Sequence, residues 1–326
     1  MPRFTKFQLV LIGIICIGAL LRIFGIYNDF SLDEIWSYNI FKNYSSFFDA
    51  LIKSKDENAH PIILLFMYLL GDRYEWWEYR LLSLISGLVT LVVIYGDVQE
   101  KRRVEALTLS VFWSLSYMMV LYASEARGYA PMLFFVLVAW FQLRKFLDSG
   151  RPLYALTYQI ALILGICSHL SSIQFLIASV IWSSLVLFRY EPGIALSKMA
   201  FAHLLPMTFV MFVFFTYIVN LHKGTGNIYS LLDLIVNTFC ISFNAPILSS
   251  NNIPIGILSV LLCVFIFILL LRGIFDMWKR ADAEWSFYLL IIFIVPIVNV
   301  LAMKRLTFEP RYFLIPISFS YFLGAK

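Results

Sequence analysis

The feature that most constrains this chain is the recurrence of apolar runs close to 20 residues long, from Phe7–Tyr27 near one end to Trp285–Met303 near the other. About 20 helical residues cross the hydrocarbon core of a bilayer. Backbone inside lipid must satisfy its own hydrogen bonds, which leaves helices as the spanning structure for runs of this length. Composition agrees: 61% of the 326 residues are hydrophobic, 14% are charged and the mean hydropathy is +0.83. A soluble domain carries roughly 25% charged residues. The sequence therefore predicts an all-α polytopic membrane protein, one domain over 1–326. Its ten expected spans are Phe7–Tyr27, Tyr79–Tyr95, Leu107–Tyr122, Tyr129–Leu143, Tyr154–Ser168, Ile173–Phe188, Phe201–Val219, Ile253–Leu271, Trp285–Met303 and Tyr312–Lys326.

Charge orients them. "HPIILLFMYLLG" at 60–71 has about half the apolar length a span needs, so it reads as an interfacial or re-entrant helix. With that reading and a cytoplasmic N-terminus, inner segments carry 14 basic against 8 acidic residues and outer segments 10 against 12. Lys and Arg favour the cytoplasmic side, so the sign is right. Counting 60–71 as a span would send Lys101–Arg103 and Arg144/Lys145 outside. Two outer segments are long, 28–78 with interfacial helices and the polar 220–252. The protein is expected in a plasma, inner or endoplasmic-reticulum membrane, with its chemistry on the outer or luminal face.

Other classes fall away. Basic clusters do not exceed three residues ("EKRR"), which suits topology and not nucleic acid. Cys16, Cys167, Cys240 and Cys263 are scattered and form neither a disulfide framework nor a zinc motif. The first apolar run is too long for a signal-peptide core and reads as a retained helix.

The unusual polar residues gather at the outer ends of the expected spans: Asp33 and Glu34, His60, Arg80, Glu125 and Arg127, His169, and Arg311 with Tyr312. Taken singly, each has an ordinary explanation. Trp76, Trp77 and Tyr79 read as an aromatic belt, and Trp36 and Tyr38 suit the same interface. Arg80 alone would be a snorkelling arginine, Glu125/Arg127 a turn pair, and Lys304/Arg305 a contact with lipid phosphate. Together, six segments deliver ionisable groups to one interface. Arginine forks match phosphate oxygens, and a carboxylate beside an acceptor hydroxyl can take its proton. Such a set suits transfer of a sugar from a lipid phosphate, with arginine stabilising the leaving group.

The order of motifs resembles the GT-C membrane glycosyltransferases, in the branch of protein O-mannosyltransferases and lipid A aminoarabinose transferases. The family's Asp-Glu loop is matched by "LDEIWSY", its His/Lys-Pro-Pro element by "HPIILLFMYLLG" and its "RLPSxxxG" by "RLLSLISG". Its "SxEARxYAL" is matched by "ASEARGYAP", its "THY" by "SHLS" and its "RYLLPxxP" by "RYFLIPISF". Ile62 and Leu82 stand where the family has prolines, and relatives usually carry further helices or an outer domain.

The resemblance implies a polyprenyl-phosphate-sugar donor, inversion at the anomeric carbon and a lipid, glycan or protein acceptor. It implies Asp33 as general base, and Glu34 would orient it or the acceptor. His60, Arg80, Glu125, Arg127, Tyr129, His169, Arg311 and Tyr312 would line the donor phosphate and headgroup. The aminoarabinose enzymes hold a metal near their site; His60, His169 and nearby carboxylates are what this chain offers, and the sequence leaves a divalent ion open. A transporter or flippase would instead place charges at mid-span and break helices in both halves. An inactive scaffold subunit of the same fold is the third reading.

Overall fold

A computed structural model describes residues 5–46, 48–49, 60–73, 75–98, 101–220, 230–248, 253–303 and 309–326. All regular structure among them is helical. Seven helices are long and apolar enough to cross a bilayer: Lys6–Gly25, Leu81–Val98, Tyr129–Ser149, Ser172–Tyr190, Ala195–Thr216, Ile253–Lys279 and Trp285–Ala302. The chain is thus an all-α protein with the makeup of a multi-pass membrane protein.

Three of the ten expected spans take other forms. Leu107–Tyr122 is a pair of helices, Arg103–Leu115 and Tyr117–Ala123, bent by 48°. Tyr154–Ser168 lies in the 17-residue helix Pro152–Ser168. Tyr312–Lys326 is a 3-10 turn followed by the 11-residue helix Leu314–Gly324, buried along nearly its whole length. At about 1.5 Å per residue, 11 residues cover about half a bilayer core.

Within the expected polar loop 220–252, residues 221–229 and 249–252 lie outside the described residues. Leu231–Ser242 is an apolar helix, started by Ser230, whose hydroxyl accepts the Asp233 N–H at 3.1 Å. Lys304 and Arg305 also lie outside the described residues.

The chain divides into two compact units, one of residues 1–25, 87–121 and 226–326, the other of residues 26–86 and 122–225. In the first unit, Arg22 is buried inside an apolar helix. Its Nη1 donates to the carbonyls of Gly18 (2.8 Å) and Ser114 (2.9 Å), and its Nη2 to Trp113 (2.8 Å). These acceptors stand at the end of Arg103–Leu115, where carbonyls lack intrahelical partners. A Cβ on Gly18 would sit 2.6 Å from that of Ser114, so glycine sets this approach. Asn244, at φ 55°, bridges the bend: its Oδ1 accepts from Tyr117 N–H at 2.8 Å and its Nδ2 donates to Leu115 carbonyl at 3.1 Å. Pro296 has no N–H for the turn before it, and the helix there widens to a π turn over Leu290–Ile294.

The second unit pairs Tyr129–Ser149 with Pro152–Ser168 across Gly150, whose φ of 66° ends the first helix. Ser172–Tyr190 and Ala195–Thr216 pack beside them. Here His203 Nδ1 lies 2.9 Å from the Tyr158 hydroxyl and Nε2 lies 2.8 Å from Ser183 Oγ. Both ring nitrogens are therefore satisfied. The short helix Pro61–Leu70 rests against Pro152–Ser168, and Leu32–Lys42 and Trp76–Tyr79 pack on Pro61–Leu70.

Candidate functional site

The site begins at the start of the Leu32–Lys42 helix. Glu34 is its third residue, and its Oε2 reaches back to accept the Ser31 N–H at 2.8 Å, half of a capping box. The same carboxylate takes Arg80 Nε on Oε1 and Arg80 Nη2 on Oε2, each at 2.7 Å, and the Ala126 N–H on Oε1 at 2.6 Å. Four donors saturate a carboxylate. Both side chains of this pair are almost wholly buried, and a buried pair is tolerable when its remaining hydrogen-bonding positions are filled.

Arg80 fills its own. Besides Glu34, Nη1 donates to the carbonyls of Ile26 (2.9 Å) and Asn28 (2.6 Å), and Nη2 to Asp29 (2.8 Å). All five guanidinium donors are engaged by acceptors within the protein. Glu34 likewise has both carboxylate oxygens occupied by donors of the protein. Together they tie the segment 26–34 to the start of Leu81–Val98 and to the turn at 124–128.

That turn supplies the accessible chemistry. Arg127 is buried, and its Nη1 pairs with Oδ2 of Asp33, whose side chain remains one-quarter exposed. Asp33 is the second residue of its helix, where exposed N–H groups favour an anion. The Arg127 carbonyl accepts from Ser83 Oγ at 3.0 Å, and the guanidinium carbon stands 5.1 Å from the centre of the Tyr129 ring. Gly128 has no room for a side chain: a Cβ would fall 1.8 Å from the Ser168 carbonyl oxygen and 3.1 Å from the His60 ring.

His60, Tyr129 and His169 form an aromatic group behind Arg127. The His60 and His169 rings are 4.7 Å apart at 35°, and Tyr129 lies 4.4 Å from His169 and 5.9 Å from His60. His169 Nδ1 accepts the Ser171 N–H at 3.1 Å. Below lies an apolar floor of Phe41, Ile63, Leu64, Met67, Tyr79 and Ala126. Tyr79, expected in an aromatic belt, is instead fully buried there, its hydroxyl donating to the Gly71 carbonyl at 2.8 Å. Tyr38 is half-buried, its ring edge-on to Phe41 and Tyr79 and its hydroxyl donating to the exposed Asp72 Oδ1 at 2.6 Å; Trp36 is exposed.

Glu125 completes the group. Its carboxyl makes no hydrogen bond or ion pair with a described residue, and the residue is half-buried. Burial pushes its pKa up to about 7; Arg127 and Arg80 pull it down, and the charges of Glu34 and Asp33 raise it.

Asp33, Glu34, His60, Arg80, Glu125, Arg127, Tyr129 and His169 thus fall in one unit. Arg311 and Tyr312 belong to the other, where Arg311 Nε meets Glu309 Oε2 at 2.8 Å and the guanidinium covers the Tyr312 ring at 5.5 Å. The sequence reading passed over Gly128 and Ser83; their only signal was their place inside "SEARGYA" and "RLLS". Among the described residues no three His, Cys, Asp or Glu side chains converge to hold a metal ion, and Asp33 and Glu34 are each paired with an arginine. Comparison with family models, curated proteins and solved structures gives no match to this chain.

Proposed function

We propose that this protein is an inverting glycosyltransferase of GT-C type, moving a sugar from a polyprenyl-phosphate carrier to an acceptor at the outer face of its membrane. The observation that carries the reading is the division of labour between adjacent carboxylates: Glu34 buried and saturated, Asp33 partly exposed beside buried Arg127. The first pair fixes the loop; the second presents a base and a cation side by side.

In the proposed reaction the acceptor hydroxyl attacks the anomeric carbon as its bond to the phosphate oxygen breaks, both electrons leaving with oxygen. Asp33 takes the acceptor proton. Arg127 stabilises the growing phosphate charge, and an entering phosphate competes with Asp33 for that guanidinium, freeing the carboxylate to act as base. Leu32, Ile35 and Trp36 form an exposed apolar stripe on the same helix, suited to the depth of a lipid headgroup.

The test is transfer by purified protein in lipid nanodiscs, using a panel of polyprenyl-phosphate sugars. Wild type is expected to transfer at least one, and Asp33→Asn to lose at least about 10²-fold in kcat, the usual contribution of a general base, with unchanged insertion and thermal stability. A fully active Asp33→Asn protein removes the base assignment. Facilitated movement of the intact carrier across the bilayer, with no sugar transferred, would favour a flippase.

A further inference from the structure

Resting on that reading, we infer that Glu125 is the site's general acid, delivering its proton to the departing phosphate oxygen as the sugar leaves. The geometry begins with the turn. Ala126 N–H is fixed on Glu34, Arg127 N–H on the Glu125 carbonyl at 2.8 Å, and Gly128 is wedged against Ser168. The backbone at Glu125 is thereby held in place, and its carboxyl makes no hydrogen bond or ion pair with the groups that hold the turn. The charged groups that act on it are Arg127, Glu34, Arg80 and Asp33. They are two cations and two anions, so the cluster is neutral only while Glu125 keeps its proton. An ionised Glu125 would leave a net negative charge where an anionic phosphodiester must enter. A neutral Glu125 admits that anion and has a donor to offer it.

The protons balance. As the acceptor oxygen bonds to the anomeric carbon, its proton passes to Asp33. The carbon–oxygen bond to phosphate breaks with its electrons on oxygen, and that oxygen takes the Glu125 proton. The products are the glycosylated acceptor and a polyprenyl hydrogen phosphate, with Asp33 neutral and Glu125 ionised. Asp33 then releases a proton to water and Glu125 takes one from water. A phosphate monoester has its second ionisation near pH 6, close to the raised value of Glu125, and matched affinities make transfer efficient.

The experiment compares wild type, Glu125→Gln and Glu125→Asp in the nanodisc assay across the pH range. Wild-type transfer should fall as pH rises through about 7, where Glu125 ionises. Glu125→Gln should lose about 10²-fold in kcat and show no such fall, while Glu125→Asp keeps both the fall and most of the rate. Wild-type kcat in Glu125→Gln overturns the assignment; so does a wild-type profile flat through neutrality, which decides the matter even if Glu125→Gln fails to fold. An inactive wild type would defeat the transferase reading itself. An active wild type with an indifferent Gln variant would defeat only the role of Glu125.

Discussion

At the scale of single residues, neighbours in sequence take opposite duties. Asp33 and Glu34 are adjacent, but successive helical residues point about 100° apart, so one carboxylate turns into the protein and the other toward its surface. Arg80 shows what the inward one requires. Lysine offers three donors from one point where arginine offers five in a plane, so Arg80→Lys leaves Glu34 and several loop carbonyls short of partners. Breaking a buried pair costs about 3–5 kcal/mol, and Arg80→Lys should lower the thermal midpoint in detergent by several degrees, with transfer lost because Asp33 and Arg127 drift apart.

Glu125 makes a prediction of opposite sign from a paired carboxylate. Its pKa is raised in the folded protein, so the native state binds the proton more tightly than the unfolded chain does. Stability then falls as pH rises from about 4.5 to about 7 and is level beyond. Glu125→Gln removes that slope and should leave the protein on the order of 3 kcal/mol more stable than wild type at pH 8, as measured by denaturation at pH 4 and pH 8.

At the scale of elements, the short and broken helices carry the specific structure. A bend between Arg103–Leu115 and Tyr117–Ala123 frees backbone groups that lipid cannot satisfy. Asn244 meets two of them, and its left-handed backbone is one that asparagine tolerates. Replacing Asn244 with Gly keeps that backbone and removes the two bonds, at an expected cost of about 1–3 kcal/mol; Asn244→Ala should cost more. Equal thermal midpoints for wild type and the Gly variant would show that these bonds do not hold the bend. The Pro61–Leu70 helix was legible from its length and its proline start. The Leu231–Ser242 helix was not, because polar flanking sequence drew the whole of 220–252 into a loop.

At the scale of the whole molecule, topology is the open physical quantity, and charge predicts it. With Lys101–Arg103 and Arg151 on the cytoplasmic side, a cysteine at Asn39 should react with an impermeant maleimide added outside intact cells, and one at Arg151 only after permeabilisation. Both positions are exposed, and the background would lack Cys16, Cys167, Cys240 and Cys263. Reversed labelling would place Asp33 on the cytoplasmic face and sink the outer-face acceptor.

Sequence alone determined the class of the molecule, because hydropathy and helical length are sums over neighbouring residues and need no knowledge of contacts. It also named the polar residues that gather in the second unit, since charges are rare enough in such a chain to be conspicuous. Tertiary structure decided what each of them does. Whether a carboxylate is saturated or accessible depends on partners 46 and 92 positions away, Arg80 and Ala126 for Glu34. Whether Gly128 is replaceable depends on a carbonyl at Ser168. Those contacts made Glu34 and Arg80 a buried brace, left Asp33 accessible beside Arg127, and gave Glu125 a setting that favours its neutral form. Local pattern places residues along the chain; hydrogen-bond saturation and burial are properties of the packed neighbourhood, and they appear only when distant segments meet.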